Sequence, residues 1–157
     1  MASKSLLADI LTQEHKLREA EELARQAFDE QLRVLGPQHR DTLESLWLLG
    51  TALVEMGRYE DAKELYLDTL QKIRAEKKDE TRKAATRLLY NLACHAAIAE
   101  RRDEALEYLD QAVQAGYTDA KHMRTDDDLK SLRNEARFDK LVAKAKAISP
   151  QPAVASK

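Results

Sequence analysis

Two columns of small residues recur along this chain of 157 residues, and their period restricts the fold more than any other feature of the sequence. The first column holds an alanine after an acidic residue, at Ala20, Ala62 and Ala105. The second column lies twelve residues earlier and follows a leucine each time, at Ala8, Gly50 and Ala93. Because both columns share a spacing of 42 to 43 residues, they indicate an internal structural repeat.

Each repeat reads as two antiparallel helices that touch through their small residues. Leucines recur around the small residues at three- and four-residue steps, which places each on a buried helical stripe: Leu7, Leu11, Leu46, Leu53, Leu89 and Leu92. The breaks between paired helices are predicted near His15, Gly57 and Arg101. Gly57 is suited to end a helix because glycine enters the left-handed region at little cost.

The composition favours helices over strands. Leu and Ala contribute 47 residues, whereas Val, Ile and Thr contribute 17. Unbranched side chains keep their rotamer freedom in a helix, and β-branched ones lose part of it. Four glycines and three prolines leave few turn signals for a many-stranded sheet. We therefore predict an all-α fold.

Charge, cysteine content and hydropathy narrow the class of protein. The 26 basic and 28 acidic residues nearly balance, which argues against a nucleic-acid or membrane-surface partner. Cys94 is the single cysteine, so no internal disulfide forms, as in a reducing compartment. The sequence shows no signal peptide and no apolar run of membrane-spanning length. A cytoplasmic location is the expectation.

The repeats resemble tetratricopeptide repeats, of the longer-period type found in kinesin light chains and many bacterial proteins. The similarity is carried by Leu35-Gly-Pro-Gln-His-Arg-Asp-Thr42, by Leu49-Gly50 and by Gly57-Arg-Tyr-Glu-Asp-Ala62. Arg40 and Leu48 depart from the usual proline and asparagine, and Arg101-Arg102 stands where glycine and tyrosine are common. The resemblance implies a right-handed α-solenoid of three helix hairpins, over residues 3–36, 41–77 and 80–116.

The sequence after the third repeat resembles the tail that closes many bacterial arrays of this type. Gly116 is placed to end a helix, and Asp126 is placed to cap a short one. Phe138, Leu141 and Val142 form an apolar stripe on a last helix. We expect helices over 117–148 to cover the apolar end of the stack, within one domain over 3–148, and 149–157 to be a disordered tail.

Catalytic and metal-binding patterns are weak. The four histidines have no metal-ligand spacing with one another or with Cys94. Cys94 and His95 are adjacent on a helix, so their side chains diverge by about 100° and a nucleophile–base pair is not expected. Asp126-Asp127-Asp128 lacks the spacing of a calcium loop and reads as a capping turn. The expectation is a protein that is not an enzyme and has no cofactor or metal.

By resemblance, the first helix of each repeat lines a concave groove that holds the partner. The positions offset from the buried columns are Ser5, Asp9 and Thr12, then Trp47, Thr51 and Val54, then Arg87, Tyr90, Asn91 and Cys94. Trp47 is either an apolar anchor for a partner or a packing residue against the next repeat. Asn91 matches the family asparagine that hydrogen-bonds a bound peptide, and the alternative is a bond within the helix layer. Asp9 would repel a carboxylate, which argues against a clamp for a C-terminal carboxylate in the first repeat.

The function predicted from these residues is that of a scaffold or adaptor that binds a partner protein or peptide in the groove without chemistry. An alternative of a different kind is a regulatory or oligomerisation module of a larger protein, such as a bacterial signalling kinase. Weak self-association through the groove or the end of the stack is a third reading. A fold resemblance implies the mode of action but does not identify the partner.

Overall fold

The structure, a computed structural model, describes residues 8, 10, 11, 16–76 and 79–148, and the regular secondary structure among them is helical. Within these residues the elements are α1 (Leu17–Leu35), α2 (Arg40–Glu55), α3 (Tyr59–Ala75), α4 (Asp79–Ile98), α5 (Arg102–Gln114), α6 (Ala120–Thr125), a 3₁₀ helix (Asp127–Leu132) and α7 (Ala136–Ile148). The all-α prediction is confirmed for this part of the chain.

The helices stack in chain order. Helix α1 packs along α2, α2 packs on both α3 and α4, and α4 packs along α5. The 3₁₀ helix covers α4, and α7 packs on α5 and α6. The predicted second repeat therefore contains α2 and α3, and the predicted third repeat contains α4 and α5. The first helix of each pair lies beside the first helix of the next.

The two columns of small residues lie in the helix contacts. The column residues Ala8, Ala20, Ala62, Ala93 and Ala105 have no exposed surface. Gly50 is buried as well. A Cβ atom placed on Gly50 would lie 2.5 Å from Cε1 of His95, closer than real contacts allow. The repeat pattern thus records where helix backbones approach each other.

Residues with a positive φ follow four of the described helices, and at three of them the helix also closes with a Schellman pair. Gly57, Glu100 and Gly116 have φ values of 76°, 60° and 109°. Each follows a helix whose last turn closes with a Schellman pair of hydrogen bonds, as in Arg58 N–H to Leu53 O at 2.8 Å. Gly57 and Gly116 behave as predicted. In the third repeat the residue with a positive φ is Glu100, which lies one residue before Arg101, where the sequence predicts the break.

The described segment after the third repeat consists of α6, the 3₁₀ helix and α7. The Asp126 carboxylate caps the 3₁₀ helix by accepting a hydrogen bond from the N–H of Asp128 at 3.0 Å. Phe138, Leu141 and Val142 are buried where α7 meets the rest of the stack. These helices cover apolar surface of the third repeat that would otherwise face water.

Some of the predictions fall on parts of the chain that the structure does not describe. Ser5, Asp9, Thr12, the break at His15 and the tail over 149–157 lie outside the described residues. Among the helices that the structure does describe, none combines the length and apolar character required to cross a lipid bilayer.

Candidate functional site

The contact between α2 and α4 is organised around a buried histidine. The His95 ring has no exposed surface and stacks on the indole of Trp47, with ring centroids 4.3 Å apart. The hydroxyl of Thr51 lies 3.2 Å from Nε2 of His95. The ring edge of Tyr66 approaches from α3, with centroids 5.3 Å apart. We call Trp47, Gly50, Thr51, Tyr66 and His95 the His95 cluster.

The His95 cluster is electrically neutral at ordinary pH. Burial lowers the pKa of His95 to about 3, because removal from water disfavours the imidazolium form. Burial also raises the pKa of the Tyr66 phenol well above its ordinary value. Within the described residues, Nδ1 of His95 and the hydroxyl of Tyr66 have no hydrogen-bond partner. The cluster is therefore a packing contact with a small polar interior.

Three of the predicted groove residues on these helices are buried. Cys94 is 1 % exposed, Tyr90 is 5 % exposed and Val54 is 8 % exposed. Trp47 and Thr51 are partly buried against the third repeat. The structure therefore places Val54 and Cys94 in the core rather than on an open surface. Trp47 makes the packing contact that was the alternative to the anchor role.

Cys94 and His95 face different neighbours, as helix geometry requires. The Cys94 thiol lies 3.8 Å from Oδ2 of Asp126, on the side of the 3₁₀ helix. His95 contacts Trp47 and Thr51 on another face of the helix. Burial, together with the nearby Asp126, raises the pKa of the Cys94 thiol far above its usual value. The pair therefore lacks the geometry of a nucleophile and its base.

Three potential metal ligands lie close together where α4 meets the 3₁₀ helix. Ligand atoms of Cys94, Asp126 and Asp128 lie within 4.8 Å of one another. The Asp126 carboxylate already accepts the Tyr90 hydroxyl at 2.7 Å and the Asp128 N–H at 3.0 Å. A metal would require the thiolate of Cys94, which burial disfavours. The donor set therefore fits a helix cap and not a metal centre.

An open pocket lies between the first half of α4 and the connection from α5 to α6. Its volume is about 650 Å³, within the range of ligand-binding clefts. We call it the cap pocket, and its lining is Arg82, Lys83, Thr86, Arg87, Tyr90, Ala115, Gly116, Tyr117, Thr118, Asp119 and Ile148. Two predicted groove residues, Arg87 and Tyr90, are among them.

Stacked aromatic rings form one wall of the cap pocket. Tyr90 and Tyr117 lie with ring centroids 4.3 Å apart and planes 10° from parallel. The hydrogen bond from Tyr90 to Asp126 fixes the inner ring. Burial raises the pKa of both phenols above the ordinary tyrosine value, so both stay neutral. Tyr117, which is half-buried, presents the accessible ring face of this wall.

Asn91 lies one residue after Tyr90 and is partly exposed. Its amide makes no hydrogen bond to any residue that the structure describes, although the group carries two donors and an acceptor. The alternative prediction, a hydrogen bond of the Asn91 amide within the helix layer, is therefore not met among the described residues. The amide is left available on the side of α4 that carries Arg87.

Sequence reasoning missed much of the cap pocket. Arg82 and Lys83 precede Arg87 by about one helical turn, and that spacing places Lys83 and Arg87 on one helix face. This signal was present in the sequence. Tyr117 gave no such signal, because it reaches Tyr90 only through the turn at Gly116.

Two protein-family models match this helical chain. A model described as "A/B hydrolase-like, N-terminal domain" matches residues 44–150, which include α2 to α7. The chain belongs to that family. A second model, described as tetratricopeptide repeat, matches residues 1–75. The region matched by the hydrolase-like N-terminal domain is helical wherever it is described, so the family name refers here to a helical domain.

Among curated proteins, the chain is similar to a chloroplastic protein from Arabidopsis thaliana. The two are 31 % identical over 93 residues, which is 59 % of this chain and 26 % of the Arabidopsis protein. The chain thus matches about a quarter of the length of that relative. No solved structure matches the chain significantly.

Proposed function

We propose that this tetratricopeptide repeat protein is a non-catalytic scaffold that binds a segment of a partner protein on the side of α4 that carries Arg87, Tyr90 and Asn91. The observation that carries the proposal is the cap pocket, which brings two of the predicted groove residues to an open cleft of about 650 Å³. Tetratricopeptide repeats generally mediate contacts between proteins, and the Asn91 amide, which bonds none of the described residues, supplies a group that can bond a peptide backbone.

The rigid part of the proposed site is built before a partner arrives. The His95 cluster holds α4 against α2, and the Tyr90–Asp126 hydrogen bond holds α4 against the 3₁₀ helix. The partner segment therefore bears most of the cost of ordering when the two associate. Trp47 and Thr51 contribute by holding α4 in place, and a direct contact of either with a partner remains a prediction.

The proposal assigns no reaction to this region. Cys94 is buried and its pKa is raised, while His95 is buried with a lowered pKa and lies on another face of the helix. Neither side chain can serve as an accessible nucleophile or base in this arrangement. Recognition by shape, charge and hydrogen bonding is the activity that the described residues support.

The experiment is an affinity capture from a native extract of the source organism, with Arg87→Gln and Asn91→Ala beside the wild type. Both residues have surface that does not pack in the core, so we expect both variants to fold. Matched controls on the outer helices are Arg33→Gln on α1 and Gln71→Ala on α3, which are both exposed. Circular dichroism and light scattering first establish that all five proteins are equally helical and equally monomeric.

A partner that binds the wild type and both controls, and is lost from Arg87→Gln and Asn91→Ala, supports the proposal. A partner that all five proteins retain equally places the interface elsewhere. A partner lost only from the control variants contradicts the proposal, because it places the interface on α1 or α3.

A second candidate function comes from the family description. The matching model names the N-terminal domain of an A/B hydrolase-like protein, which favours the reading of a regulatory or oligomerisation module within a larger protein. In that case the partner segment on α4 belongs to the same polypeptide. An antibody against this chain would detect a protein well above 17.9 kDa in the source organism. A band at that mass alone contradicts this candidate.

The number of hairpins, the handedness of the stack and the type of repeat are also part of the proposal. We infer three hairpins in a right-handed solenoid of the kinesin-light-chain type, with α2–α3 and α4–α5 as the second and third hairpins. A cytoplasmic location is also a proposal, and the name of the Arabidopsis relative assigns that protein to the chloroplast.

A further inference from the structure

The cap pocket carries an excess of positive charge. Arg82, Lys83 and Arg87 are exposed on its α4 side, and among the side chains that the structure describes Asp119 is the one acidic residue in its lining. The Asp119 carboxylate is already engaged, because it accepts the N–H of His122 at 2.8 Å at the start of α6. A chain with a formal charge of −2 therefore concentrates three cations at one cleft.

These three cations differ from Arg58 and Lys63, which form ion pairs within the chain. Arg58 pairs with Glu21 at 2.8 Å, and Lys63 pairs with Glu104 at 2.8 Å. Among the residues that the structure describes, Arg82, Lys83 and Arg87 form no ion pair. Two cations of the outer helices are thus neutralised within the chain, whereas three neighbouring cations at the cap pocket are available to a partner.

The remaining lining of the cap pocket is largely apolar. Tyr117 offers a ring face, and Ile148 on the last turn of α7 is 48 % exposed. At Gly116 nothing lies within 4 Å of a Cβ position, so the floor of the cleft is open there. An occupant that suits this lining carries negative charge beside aliphatic or aromatic groups.

We propose that the cap pocket binds an acidic segment of a partner protein, with carboxylates beside Arg82, Lys83 and Arg87 and an apolar side chain against Tyr117 and Ile148. The inference rests on the proposed function and specifies the chemistry of the partner. An acidic peptide fits better than a nucleic acid, because the three cations lie along one side of a single cleft with an apolar lining and do not form a long basic track. Charge complementarity of this kind sets partner choice and the rate of association.

The test uses a fluorescein-labelled peptide that alternates acidic and aliphatic residues and ends in an amide, so that no C-terminal carboxylate takes part. Its control replaces every Glu by Gln and every Asp by Asn. Binding to the full chain is followed by fluorescence anisotropy at low and high salt. A double-stranded DNA oligonucleotide and a single-stranded RNA serve as alternative anions.

The decisive variant is Arg82→Gln/Lys83→Gln/Arg87→Gln, and its matched control is Arg18→Gln/Arg33→Gln/Arg74→Gln. Both triple variants remove the same charge from exposed helical positions without an ion pair in the described structure. We expect the acidic peptide to bind the wild type and the control variant, and to lose about tenfold or more in affinity for the cap-pocket variant. Added salt should weaken binding to the wild type.

Three results would overturn the inference. They are equal binding of the acidic and the neutralised peptide, equal binding to both triple variants, and tighter binding of DNA or RNA than of the acidic peptide. If the acidic peptide gives one of these results, the proposed function can still be tested separately, since the capture with Arg87→Gln and Asn91→Ala does not depend on the acidity of the partner. Loss of captured partner from Asn91→Ala alone would keep the scaffold function and reject the acidic segment.

Discussion

The two sides of α4 form contacts of opposite character. On one side, His95 is enclosed by Trp47, Thr51 and Tyr66, with no exposed surface and a pKa lowered to about 3. On the other side, Arg87 lies exposed at an open cleft, in line with Tyr90. Within three turns, α4 thus carries both a charged surface and a neutral packing contact.

The difference shows that one part of α4 stabilises the fold and another part is available for recognition. A buried contact without charge gains from exclusion of water and keeps the helices in one register. Exposed cations without intramolecular partners add little to stability, and they interact with whatever reaches the cleft. Substitutions on the His95 side should therefore change the free energy of unfolding, and those on the Arg87 side should change binding.

The largest expected effect comes from Trp47→Ala. The change removes the ring that stacks on His95 and opens a cavity beside it, so we expect a loss of about 3 kcal/mol in the free energy of unfolding. Urea denaturation followed by circular dichroism measures the loss. Unchanged stability would show that Trp47 belongs to the open surface and that the comparison between the two sides is wrong.

Gly50→Ala should cost about 2 kcal/mol by overpacking, although alanine is the better helix former. The added Cβ would lie 2.5 Å from Cε1 of His95 and 2.9 Å from Cε2 of Tyr66. In a His95→Ala background the same substitution should cost less than half as much, because the nearest obstacle is gone. An equal cost in both backgrounds would mean that His95 does not occupy this position.

Tyr90→Phe tests the link between the two sides of α4. The variant loses the 2.7 Å hydrogen bond that the Tyr90 hydroxyl donates to the Asp126 carboxylate, so we expect about 1.5 kcal/mol of destabilisation. Thermal unfolding gives the value, and Tyr108→Phe on α5 is a suitable control. A smaller loss than in the control would place the Tyr90 hydroxyl in water.

The stability of the chain should fall as the pH drops from 6.5 towards 3. The unfolded His95 takes up a proton near its ordinary pKa of about 6.5, whereas the folded one does so only near 3. Between pH 7 and pH 5.5 this difference should remove about 1 kcal/mol of unfolding free energy. The comparison is made by urea denaturation at both pH values, and a His95→Asn variant should lack this contribution. An equal loss in that variant would contradict the burial of His95.

The smallest effect on stability is expected on the cap-pocket side. The Arg82→Gln/Lys83→Gln/Arg87→Gln variant should unfold within about 0.5 kcal/mol of the wild type, because the three side chains are exposed and glutamine is a good helix former. Urea denaturation measures this as well. A loss of several kcal/mol would mean that these cations stabilise the fold and are not free for a partner.

Much of the fold was predictable because helix contacts require small or apolar residues at regular intervals in the sequence. The columns at Gly50 and Ala62 marked close backbone approaches, and Gly57 and Gly116 marked helix ends. Glu100 escaped prediction because its left-handed φ comes from the helix end and not from its residue type. The residue type at that position carries no signal, although the repeat spacing from Gly57 leads to it.

The candidate site was predictable only in part. Helical spacing placed Arg87, Tyr90 and Asn91 on one side of α4, and the structure finds two of them at the cap pocket. Cys94 continues the same stripe, but the 3₁₀ helix covers it, which requires knowledge of how the chain after Gly116 folds back. Trp47 packs on His95 from another repeat, and spacing within one helix cannot show such a contact.

The most direct test of the central claim is a titration of ¹⁵N-labelled chain with its captured partner segment, followed by amide chemical shifts. The account predicts that the perturbed amides fall within 82–91 on α4 and 115–119 in the connection to α6, with the outer faces of α1 and α3 unchanged. Perturbations confined to α1 and α3, with α4 unaffected, would contradict it.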